Sequence, residues 1–260
     1  MLYALIVIYN KYCCDSLSFE FIEKYKDKIN FILFDNSTLD YGNSTYCKKN
    51  GITYYSLNEN VGLSIAYNYV IDRIKLSKNN YLMILDDDTI LNDSYIKEIL
   101  YEVEKSVYDI LLPVVNADNK IISPSNVSFD CRVRMVNNSK DVNIKKITGI
   151  NSGMVVRTSV YNYVKYDESI FLDYVDHDFM RKIRKNQFEI KVMNSIINQN
   201  YSRFQKSDND REINRFKIFL KDYKFYCKKC HRRLFYYFST FKYRMSKFLK
   251  YKKIVFLTIK

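Results

Sequence analysis

The chain has 260 residues, 47% of them hydrophobic, which is enough for one sizeable domain with or without an appendage. Two prolines and five glycines exclude a disordered chain and an all-β fold built from many tight turns. The formal charge of +13 is uneven: residues 211–260 carry 16 Lys and Arg against Glu212 and Asp222, a net +14, while the first 210 residues are close to neutral. That division predicts a boundary near residue 210, with a catalytic or binding domain over 1–210 and a basic element with its own partner over 211–260. The six cysteines have no framework spacing, and the apolar opening Met1–Tyr9 lacks the basic start of a secretory signal. No apolar run reaches the roughly 18 residues of a membrane span. A cytoplasmic protein with reduced thiols is expected.

In chain order, Leu2–Tyr9 reads as a buried strand and Asp15–Lys26 has helical spacing at Leu17, Phe21, Ile22 and Tyr25. Apolar runs at Ile29–Phe34, Thr53–Leu57 and Tyr81–Leu85 predict three more strands, with helices at Gly62–Leu76 and Asp93–Glu104. The second half is less regular: strands at Ile110–Val115 and Ile121-Ile122, a glycine-containing segment Ile147–Arg157, a short helix at Ser159–Val164, and helical spacing over Phe171–Lys185. Continuous apolar strands between helices predict an α/β fold with a mostly parallel sheet, in which ligands bind beyond the carboxyl ends of the strands. Polar clusters stand at four such ends: Tyr9-Asn10, Asp35-Asn36-Ser37, Asn58–Asn60 and Asp86-Asp87-Asp88.

Three consecutive aspartates after a buried strand repel one another and titrate as a coupled set. A divalent cation, Mn²⁺ or Mg²⁺, relieves this with hard oxygen ligands, and a bound diphosphate completes its shell. The plainer alternative, that Asp86 or Asp88 caps the next helix, is weakened because Thr89-Ile90-Leu91 delays that helix.

These segments together resemble the family 2 glycosyltransferases of the GT-A type, an inverting class that moves a sugar from a nucleoside diphosphate to an acceptor. The resemblance runs over residues 1 to about 205. It rests on Ile6–Asn10 (IVIYN), Phe34–Thr38 (FDNST), Asn58–Asn68 (NENVGLSIAYN), Leu85–Thr89 (LDDDT, the DxD motif), Gly149–Arg157 (GINSGMVVR) and Tyr166–Phe179 (YDESIFLDYVDHDF). It implies a GT-A, Rossmann-like sheet flanked by helices. It implies nucleotide contacts from Tyr9, Asn10, Asp35, Asn60, Gly62, Asn68, Asp86 and Asp87, and metal ligation by Asp88 and Asp86. It also implies a base at Asp176, with Asp173 and Asp178 as the other candidates, and acceptor- or donor-side roles for Asn151, Ser152 and Gly153. By themselves the acids at 173–178 read as a helix N-terminus that favours negative charge. Two departures stand out: many relatives have a His where Ile196–Phe204 offers Gln199 or Asn200, and some have Arg where this chain has Tyr67. His177 reads as a surface or packing residue.

The basic element interleaves 14 Phe and Tyr with its 16 bases, at helical spacing over Arg215–Cys227 and Leu234–Leu249. This predicts helices lying in an anionic membrane surface, in preference to nucleic-acid binding, a protein partner or packing on the domain. Cys227-Lys-Lys-Cys230-His231 matches a haem-attachment string and half a zinc site, but no second Cys/His pair accompanies it, so coincidence is the better reading.

The expected function is metal-dependent transfer from a UDP- or dTDP-sugar to a surface polysaccharide or lipid-linked oligosaccharide, at the inner face of the membrane. The segment Phe171–Asp176 is similar to rhamnosyl- and galactofuranosyl-transferring relatives, which makes dTDP-rhamnose the first donor to consider. The rival is a non-catalytic nucleotide-binding module with a nucleic-acid- or partner-binding tail.

Overall fold

The structure, a computed structural model, describes residues 1–129, 131–199 and 209–259. Its strands are β1 (Leu2–Ile8), β2 (Ile29–Asp35), β3 (Thr53–Ser56), β4 (Tyr81–Asp86), β5 (Thr89–Ile90), β6 (Ile110–Ala117), β7 (Lys120–Ser123), β8 (Ser125–Ser128), β9 (Arg132–Met135), β10 (Ile147–Thr148), β11 (Val155–Arg157) and β12 (Ile190–Gln199). The α-helices are α1 (Ile22–Tyr25), α2 (Asn43–Lys49), α3 (Gly62–Ile71), α4 (Asp93–Lys105), α5 (Val175–Lys185), α6 (Asn209–Lys229), α7 (Arg233–Tyr251) and α8 (Val255–Thr258).

The main sheet has the order β3-β2-β1-β4-β11-β6-β12-β5, with β7 paired to β6, and a small sheet holds β10-β8-β9. Pairs β1–β2, β1–β4, β2–β3 and β6–β12 are parallel, whereas β11 runs antiparallel to β4 and β6. The apolar strands are buried on both faces, as a parallel sheet requires. Leu2, Ala4, Ile6 and Ile8 of β1 join one core with Tyr95, Ile96 and Ile99 of α4. Leu5 and Val7 point the other way, into a core with Ala66, Tyr67 and Val70 of α3 and Phe179, Met180 and Ile183 of α5. The expected α/β architecture is therefore borne out.

Three segments depart from their predicted helices, each where hydrogen bonds to distant parts of the chain compete with the helical ladder. Residues 15–26 form 3₁₀ turns and the single turn α1, since the Ser16 and Ser18 hydroxyls and the Leu17 N–H bond to carbonyls of Asp86 and Asp87. Helix α3 stops at Ile71 and not Leu76; Asn80 Nδ2 and Thr158 Oγ1 both donate to Lys75 O, 3.0 and 3.3 Å away. Helix α5 starts at Val175 and not Phe171, because the N–H groups of Phe171, Leu172 and Asp173 all donate to Asp222. Strands β8, β9 and β12 had no sequence-based expectation.

The first tail helix, α6, lies against this domain. Tyr223, Tyr226, Cys227 and Cys230 are buried in a cluster with Cys131 and Tyr174, and Phe216 and Leu220 pack on Phe256 and Ile259. Nine of the tail's 14 rings are thus packing residues. The exposed ones lie mainly on α7. Cutting the chain at residue 210 exposes the Tyr174 side of that cluster and leaves three N–H groups without Asp222. The shortened chain is expected to unfold at a clearly lower temperature than the full chain. An unchanged midpoint in a thermal melt would show that α6 is an independent appendage.

Candidate functional site

Strand ends gather at one edge of the sheet. Asn10 follows β1 with φ of 48°; its N–H donates to Ser37 Oγ at 2.8 Å and its Oδ1 accepts from the Thr38 N–H at 3.0 Å. Tyr9 beside it is 48% exposed, leaving a ring free at the edge. Asp35 closes β2 and is buried; its carboxylate accepts from Asn43 Nδ2 at 2.8 Å, Tyr54 OH at 3.2 Å and the Ser37 N–H at 3.0 Å. It shapes this edge while carrying negative charge to it. Asn36 Nδ2 donates to Asn60 Oδ1 at 2.9 Å, and that oxygen also accepts from the Gly62 N–H at 3.1 Å. Gly62 has φ of 79°, and a Cβ there would lie 2.6 Å from the Phe171 carbonyl oxygen, so both conformation and space require glycine.

Between β4 and β5 comes the aspartate turn. The Ser18 hydroxyl donates to Asp86 O at 2.5 Å, and the Leu17 N–H donates to Asp87 O at 3.0 Å, so the turn's backbone is fixed from the opposite loop. Its side chains then diverge. Asp87 pairs with Lys11 at 2.6 Å. Asp86 accepts from the Ser152 hydroxyl, and Gln199 Nε2 bridges Asp88 at 2.9 Å and Asp86 at 3.4 Å. Burial, then the charge of Asp88, push the Asp86 carboxyl up to about 7 against the Ser152 hydrogen bond, and Asp176 and Asp87 add to the rise. Burial also raises Asp88, opposed by Gln199.

Asp176 lies in the first turn of α5, where its Oδ1 accepts from the His177 N–H at 2.7 Å. Its charge opposes ionisation of Asp86, Tyr67 and Tyr166, so it lies on the same side of the molecule as the aspartate turn. The neighbouring acids are engaged elsewhere. Asp178 is buried and pairs with Arg181 at 2.7 Å and Lys182 at 3.3 Å. The Asp173 carboxylate is held by both terminal nitrogens of Arg215 on α6. His177 Nδ1 shares a hydrogen bond of 2.8 Å with Thr148 Oγ1, and its ring lies 5.6 Å from that of Tyr174.

The structure gives the remaining sequence candidates supporting positions. Asn68 Nδ2 donates to Tyr166 O at 3.0 Å and Glu168 Oε1 at 2.9 Å, and its Oδ1 accepts from the Tyr166 N–H at 3.1 Å. It ties the second half of the chain to α3. Asn151 Oδ1 accepts from Tyr166 OH at 3.3 Å. Gly153 has φ of 81° and donates its N–H to Ile84 O at 2.8 Å, placing the adjacent Ser152 on Asp86. Tyr67 is buried against Tyr166 with ring centroids 4.9 Å apart. Asn200 lies outside the described residues.

The profile of glycosyl transferase family 2 matches residues 6–164, from β1 to the 3₁₀ turn after β11. The chain belongs to glycosyl transferase family 2. No curated protein sequence matches it. Among solved structures, TarS from S. aureus aligns with a TM-score of 0.54 at 14% identity, over 85% of this chain and 42% of TarS. Its fragment 1–349 aligns at 0.54 and 13% identity, over 86% of this chain and 71% of the fragment. Glucosyl-3-phosphoglycerate synthase from Mycobacterium tuberculosis, in complex with Mn²⁺, UDP-glucose and phosphoglyceric acid, aligns at 0.57 and 7% identity, over 89% of this chain and 80% of that one. The chain thus spans less than half of TarS, and at these identities the likeness is one of fold.

The residues of this family 2 glycosyltransferase suit a divalent cation. Among the described residues no three His, Cys, Asp or Glu side chains are arranged to hold a metal. What the turn offers is two crowded carboxylates, Asp86 and Asp88, joined by the amide of Gln199. The Gln199 Oε1 is buried without a hydrogen-bond partner among the described residues. Hard oxygens of this kind fit Mg²⁺ or Mn²⁺, with substrate and water completing the shell.

The sequence did not single out Lys11, Ser16, Ser18 or Arg215 for the site, and noted Asp222 only as an acid in the basic stretch. A lone acid at an apolar helical position was the available signal for Asp222.

A pH dependence follows from Asp86. Its unfolded carboxyl titrates near its ordinary value of 3.8 and its folded one near 7, so between these values the folded state holds the extra proton. Stability contributed by this group therefore falls as pH rises and levels off above 7. In EDTA, Asp86→Asn is expected to melt higher than the native chain at about pH 8, by less at about pH 5, and to draw level with it only below about pH 4. A variant no more stable at the higher pH would remove the strain assigned to this carboxylate.

Proposed function

We propose that the protein transfers a sugar, with inversion, from a UDP- or dTDP-sugar to a surface polysaccharide or lipid-linked oligosaccharide. The observation that carries this reading is the crowding of Asp86 and Asp88, bridged by Gln199, at the end of β4 in a family 2 fold. In this reading Asn10, Asp35 and Asn60 form the rim for base and ribose, with the Tyr9 ring beside them. Asp88 and Asp86 would hold Mn²⁺ or Mg²⁺, which when bound would supply positive charge to neutralise the departing diphosphate. Lys11, next to Asp87, adds positive charge on the same side. The M. tuberculosis synthase with Mn²⁺ and UDP-glucose supports a metal and a nucleotide sugar. The similarity of Phe171–Asp176 to rhamnosyl-transferring enzymes keeps dTDP-rhamnose as the first donor to test.

The chemistry needs a base because an acceptor hydroxyl has a pKa far above 7. Asp176 takes that proton as the acceptor oxygen bonds to the anomeric carbon; the bond from that carbon to the phosphate oxygen breaks on the opposite face and the diphosphate leaves. Asp173 and Asp178 are less suited, since ion pairs with Arg215 and Arg181 already occupy their carboxylates.

In this proposal transfer takes place in the cytoplasm at the inner membrane face, with the tail as peripheral contact. Among the described residues no helix is long and apolar enough to cross a membrane.

Asp176→Asn is expected to lower kcat by at least about 10² while leaving nucleotide affinity unchanged, because the base acts on the acceptor. Full turnover in this variant, measured by release of UDP or dTDP, would sink the assignment. Donor binding is expected to require the cation. Calorimetry of UDP and dTDP with Mn²⁺ and then with EDTA tests this, and equal affinity in both would contradict the metal site.

A further inference from the structure

The corner between α6 and α7 holds an open cleft of about 670 Å³, lined by Phe129, Lys228, Arg232, Arg233, Leu234 and Phe238 among others. Its apolar members are outside the core: Phe129 is 64% exposed, Leu234 74% and Phe238 76%. Phe129 also has φ of 53°, a conformation unfavourable for a bulky side chain, and stands 5.7 Å from the Arg232 guanidinium. Along α7 the exposed stripe continues from Leu234 through Tyr237, Phe238 and Phe241, the i, i+3, i+4, i+7 spacing of one helix face. Lys228, Arg232 and Arg233 are exposed and form no ion pair among the described residues.

We propose that this corner is an anionic-lipid docking site: Lys228, Arg232 and Arg233 hold the lipid phosphate, while Phe129, Leu234 and Phe238 enter the acyl boundary. It names the surface behind the membrane contact of the preceding section and rests on that reading. Charge complementarity selects the occupant. A second copy of the chain would bring another strongly positive tail to the same place, and repulsion opposes it. A nucleic acid would satisfy the bases, but it has no use for an exposed leucine leading an apolar stripe. A lipid monolayer takes both parts, with rings and aliphatic groups about 5–10 Å deep and cations on the phosphates.

The test is co-sedimentation of the full chain with vesicles of phosphatidylglycerol in phosphatidylcholine, and with phosphatidylcholine alone. Binding is expected only to the anionic vesicles, weakening as salt rises. Arg232→Gln with Arg233→Gln is expected to weaken partition roughly 30-fold, at about fivefold per base near the surface. Leu234→Ser with Phe238→Ser is expected to weaken it roughly 10-fold or more even at low salt. Lys250→Gln with Lys252→Gln, at the far end of α7 about 25 Å from the corner, is expected to change it less than about twofold. All these side chains are exposed, so unchanged thermal midpoints are expected and separate docking from folding.

Equal losses from the corner and distal pairs would overturn the site in favour of diffuse attraction, leaving the membrane reading intact. No binding to either vesicle overturns both. Nucleotide-dependent stabilisation by UDP or dTDP with Mn²⁺, measured on the same sample, then tells whether the donor reading survives. Salt-sensitive retention of a labelled oligonucleotide without vesicle binding would assign the corner to nucleic acid.

Discussion

The carboxylate of Asp222, buried on α6, accepts the backbone N–H groups of Phe171, Leu172 and Asp173 at 3.0, 2.7 and 2.9 Å, and much of the site depends on this contact. Burial pushes its pKa up, and the three donors pull it back, so ionised Asp222 is tolerated only while the loop keeps this shape. The loop cannot join α5 because its N–H groups are turned toward α6. Tyr174, in the left-handed region at φ of 65°, then starts the helix that carries Asp176. Arg215 adds a second tie through Asp173. A helix from the basic end of the chain thereby sets where the proposed base stands.

The same loop reaches the donor side. The Phe171 carbonyl accepts from the Leu63 N–H at 2.7 Å, at the start of α3, and its ring lies over Gly62. Asn60, Gly62, Phe171 and Asp222 thus form one continuous chain of contacts from the strand ends to the tail. A change at α6 would be felt at both the proposed nucleotide rim and Asp176. This coupling is physical, through hydrogen bonds and a close packing contact, and does not depend on distance-spanning motion.

The aspartate turn is organised differently. Its backbone carbonyls are held by Ser16, Leu17 and Ser18, while its side chains are left crowded. Asp86 is raised to about 7 because burial and neighbouring charges both oppose ionisation. In the proposed reading a bound cation would relieve this unfavourable charge, which accounts for rigid backbone and strained side chains coexisting here.

Much of the fold was legible in the sequence. Apolar runs of strand length, such as Tyr81–Leu85, bury on both faces whatever their neighbours, so they fix a parallel sheet and put Asp35 and Asp86–Asp88 at its carboxyl edge. The glycine at 62 and the aspartate turn were readable for the same reason: local conformation and local charge decide them. What only the tertiary structure decided was which acid faces which partner. Asp173, Asp176 and Asp178 lie within six residues, yet Arg215, the His177 N–H and Arg181 each engage a different one. The tail illustrates the same limit. Its aromatics have one composition, but Tyr223 and Tyr226 are buried against Tyr174 while Tyr237 and Phe238 are exposed, because contacts between segments far apart in the chain select the buried face. Periodicity determines that a helix has two faces; only packing determines which of them meets the protein.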